Sequence, residues 1–179
     1  MPTAALPGGR KVRLRPIREE DLARIVRWRN DPQILSRLLS HRKLTIEKQR
    51  EWFAKLPGDE SKRSFIIETL DGRAVGQGGF GSIDAHSRTA ELGVMIGERS
   101  EQGRGYGSEA VRLLAEYGFG GLGLHRIQLR VLEGNDRALG IYRKLGFRDE
   151  GRLREAIFKD GRFLDVLLLG MLAGELRAG

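Results

Sequence analysis

Apolar and basic residues alternate over Val12-Arg13-Leu14-Arg15 and stop at Pro16. This predicts a short strand at a sheet edge, because proline cannot donate the N–H that a central strand needs. Glu19, Glu20 and Asp21 then put carboxylates in the first turn of a helix, where the dipole favours them. Leu22, Ile25 and Val26 recur at helical spacing as its buried stripe, with Trp28 at the margin, and Asn30-Asp31-Pro32 ends it because a residue before proline avoids the helical region. A second helix is expected from Thr45 as N-cap to Leu56, with Ile46, Phe53 and Leu56 on one face and Pro57-Gly58 closing it.

Beyond Lys62-Arg63 the period shortens to that of strands. Ser64 to Leu70 and Arg73 to Ile83 flank the turn signal Asp71-Gly72, and Thr89 to Ile96 extends the antiparallel run. The glycine segment Gln102 to Gly107 precedes an amphipathic helix from Ser108 to Tyr117 that buries Ala110, Leu113, Leu114 and Tyr117. Arg126 to Val131 completes a β-α-β unit. Asn135 is placed to cap a helix to Leu145 on the stripe Ala138, Ile141, Tyr142 and Leu145, and Gly146 suits a left-handed C-terminal cap. Two closing strands, Arg148 to Glu155 and Arg162 to Met171, join through Lys159-Asp160-Gly161. The sum is an α+β fold: a mixed, mostly antiparallel twisted sheet of six to seven strands with about four helices on both faces, in a single domain spanning residues 1–179.

Composition narrows the chemistry. The 179 residues are 40% hydrophobic and 31% charged, as in a soluble globule. No apolar run reaches the ~18 residues of a membrane span, and the opening Met1 to Arg10 lacks a signal-peptide core, so a cytoplasmic protein is expected. The absence of cysteine excludes disulfides, thiolate metal sites and a thiol-bound covalent intermediate. His41, His86 and His125 stand apart in the sequence and predict no metal site. The net charge of +8 lies wholly before residue 64: residues 1–63 hold 16 Lys+Arg against 8 Asp+Glu, and residues 64–179 hold 16 of each. Such a bias suits a nucleic-acid binder, an acceptor carrying phosphates, or solubility alone.

The segment Gln102-Gly103-Arg104-Gly105-Tyr106-Gly107 leads into a helix N-terminus, where consecutive backbone N–H groups and the helix dipole favour an anion such as a pyrophosphate. It is not a dinucleotide loop, which follows its strand directly and has an acidic residue ~20 positions on, nor a Walker loop, which needs G-K-[ST]. A plain flexible turn is the alternative reading from this segment alone.

Gln102-x-x-Gly105-x-Gly107 resembles the Q/R-x-x-G-x-G/A signature of GNAT-type N-acetyltransferases. Asn135-x-x-Ala138-x-x-x-Tyr142 with Lys144-Leu145-Gly146-Phe147 resembles that family's second motif, and the strand-loop-helix-strand-helix order between them matches. The resemblance implies the acyl-CoA N-acyltransferase fold and acetyl-CoA as co-substrate. It places the pyrophosphate on the amides of Gly103, Arg104, Gly105, Tyr106, Gly107 and Ser108, and the pantetheine arm where the strands Thr89 to Ile96 and Arg126 to Val131 part. Met95 and Ile96 then supply backbone partners, Gln102 belongs to the cofactor loop, and Asn135 bonds the pantetheine or merely caps its helix. It further implies Tyr142 as proton donor to the departing thiolate, with a plain core tyrosine as the alternative, and Glu91 as base, with a water relay, or a glutamate that faces solvent or pairs with an arginine, as the alternatives. Homodimers are common among such relatives.

For the acceptor, Trp28-Arg29-Asn30-Asp31-Pro32 and Glu51-Trp52-Phe53 look like segments of bacterial enzymes that acetylate amino-sugar nucleotides, while Met95-Ile96-Gly97 and Glu150 to Glu155 are similar to the Rim-type ribosomal-protein N-terminal acetyltransferases. The first resemblance makes Trp28, Arg29 and Asn30 substrate-binding candidates, though both tryptophans also suit a core. The basic first third disfavours polycationic acceptors such as spermidine and was separate in sequence from the glycine loop. A non-catalytic CoA-binding or RNA-associated module of the same fold is the competing class.

Overall fold

The computed structural model describes residues 6–40 and 42–177. His41 and the first five residues of the opening segment lie outside them. Seven strands form one sheet in the order β1-β2-β3-β4-β5-β7-β6: β1 Val12–Pro16, β2 Arg63–Thr69, β3 Ala74–Asp84, β4 Thr89–Ile96, β5 Arg126–Leu132, β6 Arg148–Lys159 and β7 Arg162–Leu172. Every neighbouring pair is antiparallel except β4 and β5. Among the described residues five α-helices accompany them: α1 Leu22–Asn30, α2 Pro32–Leu35, α3 Ile46–Lys55, α4 Tyr106–Glu116 and α5 Asp136–Leu145. None of the described helices is long and apolar enough to cross a membrane.

The period-2 geometry of β2 explains why both sheet faces are covered. Phe65 and Ile67 point into the larger core, built with α4 residues Ala110, Leu113 and Leu114 and with Leu139 and Leu145 of α5. Ile66, between them, points the other way into a smaller core with Ile17, Leu22, Ile25 and Trp28, against which Ile46, Trp52 and Phe53 pack. At the edge, β1 is held by an ion-paired cluster. Arg15 makes two bonds to buried Asp21 (2.7 and 2.8 Å) and one to Glu68 (2.8 Å), and the Asp21 side chain is fully buried. Burial opposes the charge on Asp21, but the bonds from Arg15 and from the Arg18 N–H outweigh it and hold the carboxyl below its usual range.

Four local expectations change. The acidic turn Glu19–Asp21 is a separate 3₁₀ turn ahead of α1, because Asp21 is drawn inward by Arg15. Trp28 is not marginal: it is 2% exposed, donates Nε1–H to Glu98 (2.8 Å), and lies so close to Gly97 that a Cβ there would sit 2.2 Å from its ring, whereas Val26 is only half-buried. Helix α4 begins at Tyr106, two residues early, because Gly105 takes the left-handed N-cap conformation at φ 85°. Strand β6 runs on to Lys159. The turn Asp160-Gly161 has both residues at positive φ (50° and 79°), the geometry that matches the twist of a two-residue hairpin.

Candidate active site

The site begins where β4 and β5 stop pairing. Their parallel register is confined to Thr89↔Arg126, Ala90↔Ile127 and Glu91↔Gln128, so Leu92 to Ile96 and Leu129 to Leu132 run on without one another. The parting creates a cleft through the sheet, with the loop 102–108 and Ile34 of α2 lining one part and residues of α1 and α3 lining the other.

At its first lobe, the amide of Gln102 donates to the Ile96 carbonyl (3.0 Å) and ties the loop to the end of β4. Gly103 and Gly105 both adopt positive φ (90° and 85°), which glycine does without steric cost. The N–H groups of Gly103 to Ser108 have no acceptor among the described residues. The first bond of α4 comes from Glu109, to Gly105 O at 3.1 Å. Five of these six residues, Gly103, Gly105, Tyr106, Gly107 and Ser108, line one open cleft at the helix N-terminus together with Val111, Arg137, Ala138 and Ile141. Lys11 also belongs here: its ammonium bonds Arg104 O (3.1 Å), because the Glu109 carboxylate accepts the N–H groups of Arg10, Lys11 and Val12 (2.9, 2.7 and 2.8 Å) and docks the start of β1 on α4. The basic first third is thus not separate from the loop, as its sequence position suggested. Part of it folds back onto the loop across more than 90 residues of chain.

The second lobe is wider, about 1,840 Å³, and is lined by Arg29, Gln49, Trp52, Lys62, Gln77, Phe80 and Arg130, among others. Glu91, at the apex of the splay, is the single carboxylate among its described lining residues and bonds Arg130 Nε at 3.0 Å. Lys62 pairs with Asp59 (2.6 Å). Arg29 and Arg37 have no carboxylate partner among the described residues. Burial alone pulls the Arg29 guanidinium below its ordinary range, with nothing nearby to offset it.

The lobes meet at Arg37, Leu38, Val94, Met95, Asn135, Ala138 and Tyr142. The Tyr142 ring packs edge-on against Phe147 (centroids 5.7 Å apart), and burial pushes its phenol up to about 12, so it keeps its proton at neutral pH. The phenol makes no hydrogen bond within the described protein. Asn135 occupies the N-cap position of α5 but makes no side-chain capping bond, which leaves its amide to the junction. Of the acceptor candidates, only Arg29 reaches the cleft: Trp28 is a core residue, and both ends of the Asn30 amide are bonded to the Leu44 backbone (2.7 and 2.8 Å). Trp52, of the Glu51-Trp52-Phe53 segment, does line the second lobe. Lys11, Arg37 and Arg130 were not found from sequence. They carry no local motif, and only tertiary placement brings them to the cleft. Among the described residues no group of three or more His, Cys, Asp or Glu side chains gathers as metal ligands.

A fan of backbone amides at a helix N-terminus, beside two parted parallel strands and a protonated tyrosine, defines an acyl-CoA-dependent transferase; the CoA thioester supplies the acyl group. Residues 11–148 match the family described as an acetyltransferase (GNAT) domain, and the chain belongs to it. Spermidine N(1)-acetyltransferase of Escherichia coli K12 is 30% identical over 162 residues, covering 90% of this chain and 86% of that protein. The putative ribosomal N-acetyltransferase YdaF of Bacillus subtilis is 28% identical over 136 residues, covering 76% and 71%. Among solved structures, the spermidine N-acetyltransferase of Vibrio cholerae in complex with CoA and spermine superposes with a TM-score of 0.89 at 28% identity, over 93% of this chain and 98% of that one. A dodecameric form of that Vibrio enzyme is also similar (TM-score 0.80, 27% identity, 92% and 95% covered). The protein is therefore a GNAT N-acetyltransferase that uses acetyl-CoA, with the fold expected from its sequence.

Proposed function

We propose that the acetyl group passes directly to a primary amine of an anion-bearing molecule, either an amino-sugar nucleotide or a protein N-terminus flanked by acidic groups. The observation that carries this reading is the half-buried Arg29 guanidinium in the second lobe, which has no carboxylate partner among the described residues. A desolvated cation without a counter-charge is unfavourable by itself and is offset when a substrate brings the anion. Arg37 adds a second charge without a carboxylate partner among the described residues, and Glu91, the single carboxylate among the described lining residues, is engaged by Arg130. Trp52 offers an aromatic face on which a nucleobase stacks. The relatives named for spermidine take a polycation; in this chain a polycation meets four cationic side chains and one carboxylate, which opposes its entry.

The proton steps follow from the same placement. Alkyl and α-amino groups are largely protonated near neutral pH, so the amine must shed a proton before it attacks the thioester. Glu91 takes that proton, directly or through water, from its position at the apex of the splay. Tyr142, at the meeting point of the lobes, donates a hydrogen bond from its O–H to the sulfur as the bond to carbon breaks, and the proton shed by the amide-forming nitrogen is the one that neutralises the departing thiolate. With no cysteine in the chain, no thiol-bound acetyl intermediate forms and both substrates sit in the cleft together. The loop 103–108 holds the pyrophosphate, and Asn135 with Met95 and Ile96 flank the pantetheine arm.

The test follows free-thiol release from acetyl-CoA with three amines: UDP-linked glucosamine bearing a free amino group, a peptide whose free N-terminus precedes aspartates, and spermidine. Faster turnover with either anionic amine supports the proposal, and preference for spermidine overturns it.

A further inference from the structure

We infer that Lys159 is a positioning residue for the acceptor side of the cleft, acting through the segment between α1 and α3. Lys159 ends β6, far in sequence from that segment, and is only 6% exposed. Its ammonium donates to three backbone carbonyls, Leu35 O (2.5 Å), Leu38 O (2.7 Å) and Ser40 O (3.4 Å), and pairs with no carboxylate among the described residues. An ammonium has three donors and no acceptor capacity, so these three carbonyls satisfy it completely. They also tie down the turn that follows α2, a four-residue helix whose Ile34 and Leu35 carbonyls otherwise accept from the Arg37 and Leu38 N–H groups of that turn (3.0 and 3.1 Å).

The held segment is the part of the basic first third that reaches the junction. Arg37 and Leu38 line both lobes, and Leu39 and Ser40 line the second. Its base is closed at the other end by Asn30, whose amide bonds Leu44 N and O. A loop pinned at its neck by Asn30 and at its far side by Lys159 presents Arg37 and Leu38 in one arrangement. Without the ammonium, the Leu38 and Ser40 carbonyls lose this donor, Leu35 O keeps only the Leu38 N–H (3.1 Å), and the turn loses its hydrogen-bonded link to the sheet. Leu39 still packs beside Leu132, Leu164 and Val166, so the segment loosens rather than detaches. The hairpin tip built by Asp160 and Gly161 thereby sets acceptor affinity from outside the cleft. The loop 103–108, tied to β4 through Gln102, does not depend on it.

The test uses the full chain with Lys159→Met, which keeps the length of the side chain and removes its donors, and with Lys159→Arg, which restores donors. With UDP-linked glucosamine as acceptor probe, Lys159→Met is expected to raise the acceptor KM about tenfold, with kcat and the acetyl-CoA dissociation constant within about threefold of wild type. Lys159→Arg should recover most of the KM. Amide hydrogen exchange should quicken in peptides covering residues 33–40 and stay unchanged in α4 and β7. An unchanged KM, a fall in kcat equal to the rise in KM, or faster exchange spread through α4 and β7 overturns the inference. If Lys159→Met does not fold, Lys159→Gln, which keeps two amide donors but not the reach, takes the same measurements with the same criteria. The exchange arm needs no acceptor, so its outcome separates a failure here from a failure of the anionic-amine reading.

Discussion

Tyr142→Phe removes one oxygen atom at the point where the two lobes meet and leaves the ring against Phe147. Because the phenol has no hydrogen-bond partner among the described residues, the substitution breaks no bond in the free protein. Thermal stability should therefore stay within about 0.5 kcal/mol of wild type, since the hydroxyl lines the open cleft and is bonded to no described residue. The magnitude follows from the phenol being held at about 12 by burial. A thiolate has a pKa near ~8.5, so complete transfer from the tyrosine is uphill by about 5 kcal/mol at ~1.4 kcal/mol per unit. The phenol thus acts chiefly by donating a hydrogen bond to the developing negative charge, and the amide-forming nitrogen supplies the proton that finally leaves. A hydrogen bond to a charged group is worth about 1.5–3 kcal/mol, which predicts a fall in kcat of roughly tenfold to 150-fold. Burst-free steady-state thiol release gives kcat, and titration calorimetry gives the acetyl-CoA dissociation constant, which should change by less than about threefold. A kcat within about twofold of wild type, or a dissociation constant that worsens as much as kcat, refutes this reasoning.

Three further outcomes follow. Glu109 is pulled below its usual range because the N–H groups of Arg10, Val12 and Lys11 outweigh the cost of its burial, and Asp21 is pulled down by Arg15 against the same cost. Depressed carboxyl groups contribute stability above their unfolded pKa of about 4 and lose it as pH falls through the lower folded value, so the denaturation midpoint should drop below about pH 4 and the Glu109→Gln variant should show a shallower acid slope. A wild-type acid slope in Glu109→Gln would contradict this. Since Tyr142 titrates near 12, kcat should rise with pH through the acceptor amine's pKa and show no falling limb from this residue up to about pH 10; a descending limb lost in Tyr142→Phe would count against its protonated role. Gly105→Ala puts a side chain at φ 85° and a Cβ 2.9 Å from Lys11 Nζ, so it should weaken acetyl-CoA binding about tenfold at a backbone cost of about 1–2 kcal/mol, read by calorimetry; undiminished binding would remove the amide fan from the binding site.

Most of the scaffold was legible because its elements are signalled locally. The alternation before Pro16, the Asp71-Gly72 turn, the Thr45 cap and the Gly146 cap each state a backbone geometry within a few residues, and Thr45 and Gly146 take those positions. The glycine loop and Tyr142 were legible for the same reason, as paired motifs at a set separation. What escaped was set by contacts between distant residues. The margin position of Trp28 follows from helical periodicity alone, but Gly97 and Glu98, 70 residues on, bury it. Lys159 looks like a polar turn residue until the hairpin folds over Leu35 to Ser40. The +8 surplus could be located along the chain but not in space, so its division between Lys11 at the loop and Arg29 and Arg37 at the acceptor side emerges only from the fold.

Whether cations of the second lobe that lack a carboxylate among the described residues select an anionic amine is tested most directly by Arg29→Gln with two acceptors. The quantity is the ratio of kcat/KM for UDP-linked glucosamine to that for spermidine, in wild type and variant. One charge-assisted contact is worth about 1.5–3 kcal/mol, so the wild-type ratio should exceed about ten and fall at least about tenfold in Arg29→Gln. A wild-type ratio below one, or a ratio that the substitution leaves in place, contradicts the account.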